Sequence, residues 1–121
     1  WEDANDCSLV FDLSYKNLSI LTTGDLGVHG EENSTFPRKR YDILKVGHHG
    51  SKNSSSEVFL QKCRPRYGFI SAGADNRYGH PAKETLQRLE NISCKNWNTA
   101  QKGALFAEYR RGQKRCWYFK H

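Results

Sequence analysis

Asp42-Ile43-Leu44-Lys45-Val46-Gly47-His48-His49-Gly50-Ser51-Lys52 is the stretch whose reading decides the fold. A short apolar run stops at a glycine, two adjacent histidines, a second glycine and a serine. That order predicts a buried central strand over residues 42–46, then a loop and a helix start. Histidine is the commonest metal ligand and the usual side chain for proton transfer near neutral pH. Two of them at the end of a buried strand point to a site.

The same arrangement stands on both sides of this stretch. Leu18-Ser19-Ile20-Leu21-Thr22-Thr23 runs into Gly24-Asp25, and Tyr67-Gly68-Phe69-Ile70-Ser71-Ala72-Gly73 runs into Asn76-Arg77-Tyr78-Gly79-His80-Pro81. Ligands of α/β folds gather beyond the carboxyl ends of the strands. Three strand ends thus deliver Asp25, His48 with His49, and the Asn76–His80 cluster to one shared site.

Further out, residues 7–13 read as a strand with Leu9, Phe11 and Leu13 on one face, paired as a hairpin with residues 18–23. Residues 27–40 are polar, with a short helix near 31–36 that Pro37 stops. Ser54 and Glu57 read as a capping box for a helix running to about Cys63. Pro81 fits the first turn of a second helix, with Ala82, Leu86 and Leu89 as its buried stripe. Residues 91–97 hold a short strand. Residues 104–110 and 115–119 close the chain as a hairpin around Gly112. The expected fold class is α/β (α+β): a mixed sheet with two main helices on one side.

The chain has 121 residues, suiting one small domain with no second one, and 36% of them are hydrophobic. Its mean hydropathy of −0.84 is polar for a self-contained α/β domain. No apolar run is long enough to cross a bilayer. The net charge is +6. It lies in clusters at Arg38-Lys39-Arg40, at Arg64 and Arg66, and at Arg110-Arg111 with Lys114-Arg115. Such an excess favours a polyanion such as DNA, and equally serves as solvating charge along exposed edges. Cys7, Cys63, Cys94 and Cys116 contain no C-x-x-C pair, which argues against a zinc knuckle. Free buried thiols and a single disulfide both remain open.

The three strings Thr23-Gly24-Asp25, Lys45-Val46-Gly47-His48-His49-Gly50-Ser51-Lys52, and Ser71-Ala72-Gly73 with Asn76-Arg77-Tyr78-Gly79-His80-Pro81, in this order, resemble the ComEC family of DNA-internalisation competence proteins. The similarity is to their C-terminal metallo-β-lactamase-like domain and runs from about Asn5 to about Glu108. It implies an αββα sandwich and a metal-dependent phosphodiesterase acting on DNA during uptake, with Zn²⁺ or Mn²⁺ in the intact domain. It also implies a bacterial cytoplasmic-membrane protein whose channel lies elsewhere in the polypeptide and whose hydrolase-like domain faces the extracytoplasmic, periplasmic side.

The chain also departs from that pattern. The hydrolases carry H-x-H-x-D-H upstream of the Thr-Gly-Asp strand, and no two of the five histidines here have H-x-H spacing. The expectation is therefore the C-terminal half of the domain, completed by an upstream half and inactive alone. The alternative is a non-catalytic DNA-binding module, its metal site decayed, that guides DNA to a membrane channel.

The resemblance implies roles for individual residues. Asp25 would bridge metal ions. The last metal-binding histidine falls at His48 or His49, with His48 preferred because it directly follows the strand-ending glycine. Adjacent side chains on a continuing strand would face opposite ways, so the other would play a supporting part. From chemistry alone, His80 suits proton donation to a leaving oxygen, and Arg77, beside Asn76, suits a phosphate fork. The Gly-Ser loop before the predicted helix offers backbone N–H groups to an anion, which would place Ser51 and Lys52 on a phosphodiester. It also reads as an ordinary loop with an N-cap serine. Arg110 and Arg111 are the remaining DNA-contact candidates.

Overall fold

The apolar run at 42–46 becomes β3 (Ile43–Lys45), the middle strand of a five-stranded sheet in the order β1-β2-β3-β4-β5. In the computed structural model, which describes residues 8–73 and 79–120, the other members are β1 (Phe11–Tyr15), β2 (Leu18–Thr22), β4 (Tyr67–Ile70) and β5 (Lys95–Asn98). β1 and β2 form the expected antiparallel hairpin, while β2, β3, β4 and β5 are mutually parallel. The sheet is therefore mixed. Because the parallel strands share a direction, β2, β3 and β4 all end on the same rim.

The helices α1 (Val28–Asn33), α2 (Glu57–Cys63) and α3 (Lys83–Asn91) are the crossovers that parallel pairing requires. Strand alternation sends Leu21, Leu44 and Ile70 to one face, where they pack with Phe59, Leu60 and Cys63 of α2 and Leu89 of α3. Burying each such side chain contributes roughly 1.5–3 kcal/mol. After the short α4 (Thr99–Lys102), strands β6 (Ala104–Arg110) and β7 (Gln113–Phe119) form a separate antiparallel sheet. This hairpin lies over the other face of the main sheet. Leu105 and Ala107 close a cavity of about 300 Å³ against Ile20, Ile43 and Phe69, and Trp97 of β5 meets Tyr118 edge-on at 5.2 Å.

Several local expectations shift. The polar connection forms its helix at Val28–Asn33, ahead of the expected 31–36, and ends at Ser34 rather than Pro37. The Ser34 hydroxyl donates to the Gly30 carbonyl, which gives the last turn a local stop. The N-cap of α2 is Ser56, whose hydroxyl accepts from the Phe59 amide. Ser54 is not the cap, because it is fully buried and its hydroxyl donates to the Gly47 carbonyl. Helix α3 begins at Lys83 with Ala82 as its N-cap residue, so Pro81 lies just outside it. On β1, Phe11 and Leu13 share a face as expected but are 51% and 52% exposed.

Candidate functional site

The rim formed by the ends of β2, β3 and β4 carries Asp25, His48 and His49, and His80 meets His48 there. Thr23-Gly24-Asp25 leaves β2 through Gly24, whose φ of +61 is a glycine conformation. The His48 amide donates to the Gly24 carbonyl at 2.8 Å, which stitches the two loops together. Gly47 makes this approach possible: a Cβ there would lie 2.9 Å from the Thr23 hydroxyl. Asp25 itself is exposed, and its amide donates to the Ser8 hydroxyl.

His48 and His49 do not continue the strand. They form a tight turn at Gly47–Gly50 with φ of 51 and 54, both left-handed. Alternation along a strand therefore does not decide which one faces the site, correcting that expectation. The turn sends them to different partners. The His48 ring meets the His80 ring edge-on, 5.9 Å between centroids. The His49 Nδ1 lies 2.7 Å from the Ser71 carbonyl at the end of β4. A carbonyl only accepts, so Nδ1 carries a proton. Burial, and then the neighbouring His48 and His49, hold the His80 pKa below its ordinary value, which favours the neutral imidazole.

The anion-loop expectation needs correction at its backbone donors. The Ser51 amide donates to His48 and the Ser54 amide to Ser51. The Asn53 amide donates to the Ser51 hydroxyl. The Ser55 and Ser56 amides both donate to the carboxylate of Glu31. The protein's own carboxylate thus occupies the anion position at the start of α2. Ser51 is 3% exposed and belongs to the loop's internal bonding, while Lys52 is exposed. Burial pushes the Glu31 carboxyl above its ordinary range despite the Ser56 and Ser55 amides and Arg88. Glu31, Thr85 and Arg88 are the residues that sequence reasoning missed. Each is a single polar residue on a short helix, and no motif distinguishes it from a surface position.

Asn76 and Arg77 lie outside the described residues. Arg110 and Arg111 flank the β6–β7 turn and are largely exposed, and among the described residues neither has an ion-pair partner. Each of the other basic clusters has a member in an ion pair: Lys39 with Asp12, Arg66 and Lys114 with Asp42, and Arg115 with Glu108. Cys63, Cys94 and Cys116 are free thiols, and burial pushes the first two up to about 12. Cys7 lies outside the described residues.

Among the described residues no three His, Cys, Asp or Glu side chains gather closely enough to hold a metal ion. A catalytic zinc normally takes three protein ligands and keeps one open position. The donor set described here does not fit that requirement alone. What the rim offers is a pair of facing imidazoles beside an exposed carboxylate, groups able to accept protons or to supply part of a ligand shell.

The class defined so far is a mixed α/β unit whose parallel strands end in a histidine-bearing rim. No protein-family model matches the chain. Among curated proteins it is 42% identical over 108 residues to "ComE operon protein 3" of Bacillus subtilis (strain 168), covering 88% of this chain. It is 37% identical over 106 residues to "Competence protein ComA" of Neisseria gonorrhoeae, covering 85%. It is 35% identical over 104 residues to "Recombination protein 2" of Haemophilus influenzae, covering 86%. The chain spans only 14%, 15% and 13% of these relatives' own lengths. Among the described residues no helix is long and apolar enough to cross a membrane.

Proposed function

We propose that this chain is the C-terminal half of a metallo-β-lactamase-like domain in a ComEC-family competence protein. The intact domain would be a metal-dependent phosphodiesterase acting on DNA during uptake. The observation that carries this reading is the meeting of the three motif segments on one rim: His48 bonded to Gly24 beside Asp25, and His48 in ring contact with His80. The similarity of most of the chain to relatives that include one named "Competence protein ComA" supports the biological setting.

In this reading Asp25 and His48, with His49 as the alternative, supply part of the ligand shell. His80, whose lowered pKa favours the neutral ring, would first accept a proton from the attacking water and then, as imidazolium, pass it to the departing oxygen. Zn²⁺ or Mn²⁺ enters only with an upstream half that brings the remaining ligands. The exposed apolar side chains support such a partner within the same polypeptide. Phe11, Leu13 and Tyr15 on β1 and Phe106, Trp117 and Phe119 on the hairpin are all open to solvent, more apolar surface than a self-contained domain usually leaves bare. The membrane channel would lie elsewhere in the polypeptide, with this domain on the extracytoplasmic side.

The test uses a polypeptide extended to include the upstream half. It should hydrolyse DNA only with added Mn²⁺ or Zn²⁺, and Asp25→Ala or His48→Ala should lower the rate at least a hundredfold. Unchanged hydrolysis in both variants would sink the reading. The exposed Arg110–Arg111 turn favours a second one, a non-catalytic module that guides DNA to the channel. DNA binding by the extended polypeptide without metal-dependent hydrolysis would select it.

A further inference from the structure

We infer that Arg88, together with Glu31, is a positioning bracket that aligns His48 with His80. Arg88 sits on α3. Its Nη1 donates to the Ser54 and Ser55 carbonyls at 3.0 and 2.9 Å, and its Nη2 to the Lys52 carbonyl at 3.0 Å. Glu31, on α1 and 2% exposed, accepts from the amides of Ser55 and Ser56. The guanidinium takes the carbonyls of this loop and the carboxylate takes its amides. A planar fork can satisfy several carbonyls at once, which a lysine cannot do in the same way.

The gripped loop is tied directly to the histidine turn. The Ser54 hydroxyl donates to the Gly47 carbonyl at 3.0 Å, and the Ser51 amide to the His48 carbonyl at 2.9 Å. The helix bearing Arg88 starts three residues beyond His80. Its N-cap residue Ala82 donates its amide to the Gly50 carbonyl at 2.9 Å, and its Thr85 hydroxyl donates to the Ser51 carbonyl at 2.9 Å. One short helix therefore holds the His80 segment at its start and the loop after His48 at its middle. Capping of α2 does not need Arg88, since Ser56 and Glu31 provide it. The arginine's bonds go to carbonyls whose placement sets the turn. A single shift of α3 would move both histidines relative to each other.

That the two histidines do chemistry rests on the function proposed above, whereas their alignment by Arg88 does not. The test is proton NMR of the chain with labelled histidines, reading the cross-relaxation between the His48 and His80 rings. Arg88→Met should remove that signal and speed amide exchange at Ser55 and Ser56 at least tenfold, with the melting transition still cooperative. Arg88→Lys should restore part of the signal. Ile20→Ala, a cavity-making change on the opposite face of the sheet, should keep the signal whole. An intact ring contact in Arg88→Met, or its equal loss in Ile20→Ala, would overturn the bracket. If Arg88→Met fails to fold, Glu31→Gln decides: a weakened ring contact supports the bracket, and an unchanged one refutes it. In the extended polypeptide, lost hydrolysis in His48→Ala bears only on the chemistry, so the two ideas fail separately.

Discussion

Two consecutive non-glycine residues with left-handed backbone, His48 and His49, mark the turn at the rim. Each such conformation costs on the order of 1–3 kcal/mol and persists where the surroundings enforce it. The surroundings are visible: Gly24 accepts from His48, Ser51 bonds back to His48, and Gly50 accepts from Ala82. Gly50 is the tightest point of this turn, because a Cβ there would lie 2.7 Å from the Pro81 Cβ. Its φ is +83, close to the +81 of Gly112, which has nothing within 4 Å. Gly112→Ala should therefore cost only the backbone term, about 1–2 kcal/mol. Gly50→Ala adds a collision in a packed place, and its loss should exceed that of Gly112→Ala by about 1–3 kcal/mol. Denaturant melts of the two variants measure the difference, and equal losses would show that the Pro81 contact yields freely. The twin histidines were legible as the end of a buried strand from their place after an apolar run. Their backbone was not, because it follows from contacts with Gly24 and Ala82 that are distant in sequence.

At the scale of elements, the sheet was readable because its strands are punctuated. Gly24, Gly47 and Gly73 follow the three apolar runs, and the parallel order puts the ends of β2, β3 and β4 on one rim. Cap assignment was harder. A serine-rich stretch offers several equivalent candidates, and Ser56 rather than Ser54 became the cap once Glu31 reached the loop from α1. The seating of the terminal hairpin was not legible at all. It is set by Lys114, which donates to the Asp42 carboxylate at 2.8 Å and to the Asn17 carbonyl at 3.1 Å. Burial alone would raise the Asp42 pKa. The Lys114 bond outweighs it, with the Ser19 amide and hydroxyl, and the carboxyl ends below its ordinary value of 3.8. An acid depressed in the folded state contributes stability above its unfolded pKa and loses it as pH falls through the folded one. Stability should therefore drop below about pH 4 in the parent chain, and the drop should be shallower in Asp42→Asn. Lys114→Met should cost about 1–3 kcal/mol near neutral pH, since it leaves a nearly buried carboxylate with the Ser19 bonds and only the longer contact to Arg66. Melting curves across pH 2–7, a span of about five units around the carboxylate range, check both statements. A profile for Asp42→Asn parallel to the parent's would remove this ion pair from the hairpin's anchorage.

For the molecule as a whole, charge is distributed in a way that sequence counting could not show. The excess of +6 suggested several basic clusters of similar standing. Folding ties Lys39, Arg66, Lys114 and Arg115 to carboxylates, while Arg110 and Arg111 beside the hairpin turn, and Arg38 and Arg40 ahead of β3, stand exposed with no ion pair among the described residues. Paired cations have part of their field cancelled, so the arginine turn, with two exposed cations side by side, should attract a polyanion more strongly than the paired positions do. The chain should bind DNA weakly and without sequence preference, and binding should fall steeply with salt because released counterions drive it. Charge reversal at Arg110 and Arg111 should weaken binding tenfold or more at about 0.1 M salt and flatten the salt slope by roughly two to four, given about one unit per phosphate contact and the repulsion added by the new acids. His48→Ala should leave both quantities unchanged, because that change removes no charge from the arginine turn. Fluorescence anisotropy with a labelled duplex, titrated at several salt concentrations, measures affinity and slope together. If the reversal variants bind like the parent, these arginines serve instead to guard an exposed edge strand, and the DNA path must be sought away from the hairpin turn.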